Sequence, residues 1–161
     1  MGLDMYLSKK TYIGANFEHN KVAGTIEVFI NKELVPINFK RVTFIEEEIG
    51  YWRKANAIHG WFAKHVGDGG DIDNCRSYYV PWETLEQLQK DINEVLSQKT
   101  KKKKESKAME LLPPSDGFYF GSQAIDEYYW EKLDNTLNIL EEILSHPEEY
   151  KRSEIMYMAS W

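Results

Sequence analysis

Between Thr43 and Val66, apolar residues recur every three or four positions, which is the spacing of one face of an α-helix. Thr43 and Glu46 fit a capping box, in which two side chains satisfy backbone N–H groups at a helix N-terminus. Gly67 follows the stripe in the sequence GDGGD, which is typical of a helix end. The pattern predicts one long helix over 43–66, with a stripe made of Ile45, Ile49, Trp52, Ala55, His59, Phe62 and Val66.

Alternating apolar and polar residues predict strands on both sides of this helix. Residues 2–8 alternate, and residues 25–30 and 34–39 indicate a hairpin around Asn-Lys-Glu, with Pro36 suited to an edge position. Shorter strands are expected at residues 77–80, after a turn within 111–122, and at the C-terminal 154–161.

Two further helices are predicted from leucine-rich stripes. Pro81 suits the first turn of one, and Ser122 is a candidate N-cap of the other, which His146 and Pro147 end. The stripes are Leu85, Leu88, Ile92 and Val95, and Tyr129, Leu133, Leu137, Leu140 and Leu144.

The length and the element order bound the fold class. The chain has 161 residues, of which 42% are hydrophobic, so one folded core is expected. We expect an α+β fold: a single domain over residues 1–161, with a mixed or mostly antiparallel sheet and about three helices packed on it.

The stretch 99–107 carries six lysines and one glutamate, so the remaining residues carry a formal charge of −11 against −6 for the whole chain. A body this acidic repels a polyanionic backbone, which argues against double-stranded nucleic acid as a ligand. The lysine stretch lacks interleaved aromatics and is interpreted as a flexible linker between two helical regions.

The N-terminal sequence and the cysteine content bear on location. No run approaches the length of a membrane helix, and MGLDMYLSKK lacks the pattern of a signal peptide. A lone cysteine, Cys75, suits a reducing compartment. We therefore expect a cytoplasmic protein that does not associate with membranes.

Three polar residues interrupt the stripe of the long predicted helix. On a helical wheel, Glu48, Asn56 and His59 fall within the apolar arc beside Trp52, whereas Trp61 falls on the opposite face. Buried polar groups must be hydrogen-bonded, so this helix either floors a ligand pocket or carries a polar network to the sheet. Arg53 lies on the flank of the same arc.

Other candidates for such a site lie elsewhere in the chain. Asp4 interrupts the first strand, where it either faces solvent or meets Arg53 or His59. Tyr119 and Tyr128 could stack on a planar ligand, although aromatics at helical spacing are also typical of a core.

Motifs for catalysis or cofactors are missing from the sequence. The histidines lack zinc spacing, the aspartates of VGDGGDIDNC do not match a calcium loop, and there is no nucleophile elbow, dinucleotide fingerprint or phosphate loop. No metal or cofactor is therefore predicted, and no motif assigns a catalytic residue.

Several stretches together resemble a family of small uncharacterised proteins encoded by bacteriophages and prophages. They are MGLDMYL, EEIGYWRKANAIHGWF, LLP followed by GFYFGS, DEYYWEKLDNTLNILEE and the terminal SW. The resemblance implies an accessory protein made in the bacterial cytoplasm, and the lysine stretch 99–107 looks longer than is usual in that family.

Three functions remain open at this stage. The first is binding of a small nucleotide-like ligand, as an anti-defence sponge for an immune signal, through Trp52, Arg53, Asn56 and His59. The second is inhibition of a host defence protein through Trp61, Trp82 and Trp161. The third is a small hydrolase acting on a nucleotide signal, with His59 as general base oriented by Glu48 or Asp4. A homo-oligomer is compatible with each.

Overall fold

The computed structural model describes residues 2–14, 26–117 and 119–161, and the elements named below lie within those ranges. In chain order they are β1 Asp4–Tyr12, β2 Val28–Ile30, β3 Glu33–Val35, a 3-10 turn Phe39–Arg41, β4 Phe44–Arg53, α1 Asn56–Val66, β5 Ser77–Tyr79, α2 Trp82–Leu96, α3 Lys101–Leu111, α4 Glu127–Leu144, a 3-10 turn Pro147–Tyr150 and β6 Ser153–Ser160.

The main sheet has the strand order β4-β1-β6-β5, and every neighbouring pair is antiparallel. Met5 and Leu7 of β1 and Tyr157 and Ala159 of β6 are buried, whereas the residues between them are partly exposed. The alternation that predicted the first and last strands is therefore confirmed, although β1 extends to Tyr12 rather than ending at residue 8.

Helices α1 and α4 cover the buried face of this sheet. Phe62 of α1 stacks on Tyr157 of β6 with ring centroids 4.2 Å apart. From the β4 side, Trp52 Nε1 donates a hydrogen bond of 2.8 Å to Thr136 Oγ1 of α4. The buried apolar residues form one core cluster, and the predicted α+β class is confirmed.

The prediction of a helix over 43–66 is wrong in its first half. Residues 44–53 form β4, an edge strand paired with β1, and the helix begins only at Asn56. The pairing with β1 skips Ile49, and this bulge breaks the two-residue period. The first five residues of β4, 44–48, are also exposed. Within them, Glu46 accepts a hydrogen bond from the Ser8 hydroxyl instead of closing a capping box.

The predicted hairpin is present but shorter, as the separate sheet β2–β3. Its turn consists of Asn31 and Lys32, which have positive φ angles of 51° and 70°, as a two-residue hairpin turn requires. Pro36 follows β3, where no ladder hydrogen bond is needed. Thr25, the first residue of the predicted hairpin, lies outside the described residues.

The lysine stretch 99–107 is mostly helical, so the prediction of a flexible linker is wrong. Helix α3 packs on the core through the fully buried Ala108, and two of its cations contact neighbouring helices. Lys107 Nζ lies 3.0 Å from Glu94 Oε1 of α2, and Lys104 Nζ lies 4.6 Å from the ring centre of Trp130 in α4. Acidic and aromatic partners supplied by the tertiary structure therefore hold a segment whose composition alone suggested a solvated connection.

The two leucine-stripe helices are confirmed as α2 and α4, with one change at a cap. Pro81 is the N-cap residue of α2. The N-cap of α4 is Asp126, whose side chain accepts the Tyr129 N–H, and not Ser122. Among the described residues of the connection 113–126, no strand is formed, so the short strand expected there is not found.

No helix in the described ranges combines the length and apolar character needed to cross a bilayer.

The bond between Trp52 and Thr136 gives a direct test of how α4 is fixed to the sheet. Thr136→Val keeps the shape but leaves the buried indole N–H unpaired, so we expect the free energy of unfolding to fall by about 1–3 kcal/mol. Thr136→Ser retains the hydroxyl and should cost less than Thr136→Val. Urea denaturation of the three proteins measures the difference, and equal losses for both variants would contradict the hydrogen-bond argument.

Candidate functional site

A cavity of about 440 Å³ lies between the N-terminal end of α1 and the first two turns of α4. The connection that precedes α4 supplies its third wall. Its lining residues are Arg53, Lys54, Ala55, Asn56, Ala57, Ile58, Gly121, Ser122, Ala124, Asp126, Tyr128, Tyr129, Lys132 and Leu133. Its size falls within the usual range of small-molecule sites, so we call this cavity the α1–α4 pocket.

The turn between β4 and α1 forms one side of the α1–α4 pocket. Lys54 adopts a left-handed conformation with a φ of 54°, which is costly for a residue with a Cβ. Its N–H donates to the carbonyl oxygen of Leu3 at 2.7 Å, so the turn is tied to the start of β1. Across from it, Gly121 has a φ of 92°, and a Cβ there would lie 3.3 Å from Lys54 Cβ. This connection therefore needs glycine at position 121.

The N-terminus of α1 opens onto the pocket without a side-chain cap. Ala55 is the N-cap residue, and the first helical bond runs from the His59 N–H to the Ala55 carbonyl at 3.0 Å. The N–H groups of Asn56, Ala57 and Ile58 therefore have no acceptor within the helix. Such a helix end carries a partial positive charge and favours anions.

Asn56 is 4% exposed and joins α1 to the opposite wall. Its side-chain Nδ2 donates to the backbone carbonyl oxygens of Ser122 at 2.8 Å and Phe120 at 3.3 Å. The backbone carbonyl oxygen of Asn56 accepts a hydrogen bond from the Ser115 hydroxyl at 2.6 Å. Because both hydrogens of the amide are used, its orientation is fixed. A ligand can engage this side chain only through Oδ1, which accepts a hydrogen bond.

Three cationic side chains line the pocket. Arg53 and Lys54 come from the β4–α1 turn, and Lys132 comes from the second turn of α4. Against them the lining contains one carboxylate, Asp126, and that side chain caps α4. The polar part of the pocket is therefore complementary to an anion.

Two tyrosines of α4 play different roles. Tyr129 is buried, and its hydroxyl donates to the Leu112 carbonyl oxygen at 2.8 Å, which joins α4 to the end of α3. Burial raises the pKa of its hydroxyl well above the usual value. Tyr128 is 72% exposed, so its ring is accessible to a planar partner beside the pocket.

Of the residues predicted from the sequence, Arg53, Asn56 and Tyr128 line the α1–α4 pocket. Trp52 and His59 do not line it, and neither do Glu48, Asp4 and Tyr119, which lie outside its wall.

His59 is a core residue. It is 3% exposed, its Nδ1 lies 2.9 Å from the Tyr157 hydroxyl, and its ring contacts Phe120 and Trp161 edge-on at 4.9 and 5.4 Å. Burial lowers the pKa of its imidazole to about 4. Hydrogen bonds within the protein therefore account for the polarity of both residues, and of the two only Asn56 also lines the α1–α4 pocket.

The remaining predicted residues have other partners. Trp52 is buried under α4, as described above. Glu48 is exposed on the edge strand β4. Asp4 Oδ1 accepts a hydrogen bond of 2.5 Å from the Tyr51 hydroxyl. It also lies 3.9 Å from Arg53 Nε, so Asp4 and Arg53 form an ion pair without a hydrogen bond. The Tyr119 carbonyl accepts the Leu3 N–H at 3.1 Å.

Trp61 was expected on the face opposite the apolar stripe, but it is 3% exposed. Its Nε1 donates to Asp91 Oδ2 of α2 at 2.9 Å, and Gln87 donates to the other oxygen at 2.6 Å. The helical wheel predicted the wrong exposure for Trp61 because α1 packs on the sheet with one face and on α2 with another. An interface centred on Trp61 therefore has no exposed surface.

Sequence reasoning missed Lys54, Lys132, Asp126 and Gly121. Lys54 stood next to a predicted site residue, and its left-handed turn gave no signal in the sequence. Lys132 and Asp126 belong to α4, which meets α1 only in the tertiary structure. The signal in the sequence that could have indicated a site here is the polar residue Lys132 beside the Tyr129–Leu133 stripe.

The aspartate-rich turn after α1 forms ion pairs within the fold. Arg76 lies 2.9 Å from Asp68 and 2.8 Å from Asp73, consistent with a polar turn. Within the ranges described, no group of three or more histidine, cysteine or acidic side chains is arranged to hold a metal ion.

Comparisons with protein families, with curated proteins and with solved structures give no match for this chain.

The buried imidazole of His59 predicts a pH-dependent stability. Below about pH 6.5 the histidine binds a proton in the unfolded chain, whereas in the native protein it stays neutral until about pH 4. Its contribution to the free energy of unfolding is complete above pH 6.5 and falls by about 1.4 kcal/mol per pH unit down to about pH 4.

Denaturation of the wild type and His59→Gln between pH 7.5 and 4.5 measures this effect. The destabilisation that the substitution causes at pH 7.5 should shrink as the pH falls, because only the wild type loses stability through protonation of His59 in the unfolded chain. A pH-independent cost for His59→Gln would contradict the assignment.

The left-handed conformation of Lys54 predicts that two neutral substitutions at this position differ in stability but not in their effect on anion binding. Lys54→Asn should raise the free energy of unfolding by a few tenths of a kcal/mol relative to Lys54→Ala, because asparagine tolerates this conformation better. Both variants remove the charge and should weaken anion binding to the same extent. Thermal unfolding and a titration with AMP measure the two effects, and equal stability of the variants would contradict the backbone argument.

Proposed function

We propose that this protein binds a small, anionic, nucleotide-like ligand in the α1–α4 pocket. The observation that carries the proposal is the convergence of Arg53, Lys54 and Lys132 on one cavity that also contains the uncapped N-terminus of α1. Cationic side chains and helix N-termini are the groups by which proteins bind phosphate.

The rest of the lining supports a ligand that also has an apolar, planar part. Ala57, Ile58 and Leu133 supply apolar surface, and the accessible ring of Tyr128 supplies a stacking face. Oδ1 of Asn56 supplies an acceptor for an N–H group on the ligand. A nucleotide combines these features: an anionic phosphate, a planar base and N–H donors.

The resemblance to phage-encoded proteins supports a biological setting for this binding. We propose an accessory protein in the cytoplasm of an infected bacterium, which sequesters a nucleotide-like immune signal as an anti-defence sponge. This setting rests on the resemblance, whereas the ligand class rests on the lining of the α1–α4 pocket.

Binding of a host protein is the second candidate, and it now rests on a different surface. Trp61 is buried, whereas Phe29, Ile30 and Leu34 of the β2–β3 hairpin are 58–60% exposed. Apolar groups exposed together on a two-stranded hairpin are typical of an interaction surface. The hydrolase alternative loses its proposed base, because His59 is in the core and does not line the pocket.

The main proposal is tested by titrating AMP, GMP, CMP and UMP into the full chain by calorimetry at low ionic strength. The double variant Arg53→Gln, Lys132→Gln should lose about tenfold or more in affinity, because it removes two of the cations that line the pocket.

The matched control carries the same charge change on the 3-10 turn before β4. Lys40→Gln, Arg41→Gln should bind as the wild type does, because neither residue lines the pocket. Failure of the wild type to bind any of the four nucleotides would contradict the proposal. Equal losses in both double variants would assign the effect to net charge rather than to the pocket.

A further inference from the structure

The cations of the α1–α4 pocket lack close carboxylate partners. Arg53 Nε lies 3.9 Å from Asp4 Oδ1, and Lys132 Nζ lies 3.9 Å from Glu131 Oε1, which are separations too long for a hydrogen bond. Among the described residues, no carboxylate lies within 4.0 Å of Lys54 Nζ. These positive charges are therefore only weakly compensated by the protein.

Several ion pairs elsewhere in the fold are closer. Lys9 Nζ lies 2.8 Å from Glu47, and Lys107 Nζ lies 2.9 Å from Glu110 and 3.0 Å from Glu94. Where cations hold the fold together, they therefore reach hydrogen-bond distance. In the described part of the chain, the pocket cations lack such close contacts, as does the exposed Lys101 of α3, which lies 3.8 Å from Glu105 Oε1.

Two of the pocket cations are also brought close to each other. Arg53 and Lys54 are consecutive, and both side chains pass over the buried Gly2. A Cβ atom at Gly2 would lie 3.2 Å from Lys54 Cε and 3.8 Å from Arg53 Nη2. Like charges gathered over one residue repel each other, and an anion bound between them would relieve that repulsion.

The charge balance of the lining indicates how much negative charge the ligand carries. Arg53, Lys54 and Lys132 contribute three positive charges, and Asp126 contributes one negative charge. Asp4 and Glu131 approach from outside the wall at 3.9 Å and offset part of the remainder. The lining alone sums to +2, so a dianion can neutralise it, whereas a monoanion leaves one of its positive charges to the distant carboxylates of Asp4 and Glu131.

From this balance we infer that the ligand carries a terminal phosphate monoester, which is a dianion at neutral pH, rather than a monoanionic phosphodiester or a carboxylate. The inference deepens the proposed function and rests on it. It distinguishes nucleoside monophosphates from cyclic and linked nucleotides, whose phosphates are diesters with one negative charge each.

The test compares each of AMP, GMP, CMP and UMP with its own 5′-methyl phosphate ester, by calorimetry with the full chain at pH 7.5. Methylation removes one charge and adds only a methyl group. For a nucleotide that binds, we expect its ester to bind about five- to tenfold more weakly. The preference should also decrease as salt is added, because the cations are partly exposed.

Variants at Lys132 show whether the preference for the dianion comes from the pocket. Lys132→Gln should reduce the ratio between the two affinities, and Lys132→Arg should retain it. Lys64→Gln, which removes an exposed cation of α1 outside the pocket lining, should leave the ratio unchanged.

The outcomes separate the two proposals. Equal or tighter binding of the methyl esters would overturn the dianion inference and leave the nucleotide-binding function standing. Failure of all eight compounds to bind would overturn the proposed function and the inference with it. A dianion preference that Lys132→Gln does not alter would overturn the assignment of that preference to this site.

Discussion

The turn at Lys54 determines where the walls of the α1–α4 pocket lie. It connects the edge strand β4 to helix α1 within two residues, and the hydrogen bond from its N–H to Leu3 ties it to the start of the interior strand β1. This turn places Arg53 and Lys54 beside the first turn of α1. A regular loop of several residues would separate the cations from the helix N-terminus.

Asn56 links this turn to the rest of the fold. It is buried at the start of α1, and its amide holds the connection before α4 through two carbonyl oxygens. Nearby, the positive φ of Gly121 allows the same connection to pass against Lys54. The hydrogen bonds of Asn56 and the positive φ angles of Lys54 and Gly121 therefore lie in one small region. The strained conformation of Lys54 is part of the candidate site.

Regular periodicity explains which parts of the fold could be predicted. Strand β6 and the first half of β1 alternate and the stripe of α2 is buried, so the sequence pattern matches their burial. In α4 the match is partial, because Leu137 and Leu144 are only partly buried whereas Thr136 and Ile143 are buried. Strand β4 was mistaken for a helix because the bulge at Ile49 shifts its period and because its apolar residues continue into the stripe of α1. Helix α3 was missed because its partners lie on α2 and α4, which local composition cannot reveal.

The site divides in a similar way. Asn56 and Arg53 stood out because polar groups beside an apolar stripe require an explanation. His59 gave the same signal for a different reason, since its Nδ1 is paired with the Tyr157 hydroxyl in the core. Lys132 and Asp126 could not be assigned, because their role depends on how α4 is placed against α1.

The walls of the α1–α4 pocket come from parts of the chain that are far apart in sequence. The contact between Asn56 and Ser122 alone spans 66 residues. A molecule seated there would act as a non-covalent cross-link between β4, α1 and α4. Because these elements meet only in the assembled fold, its binding energy would stabilise the whole native state and would be absent from any partly folded species.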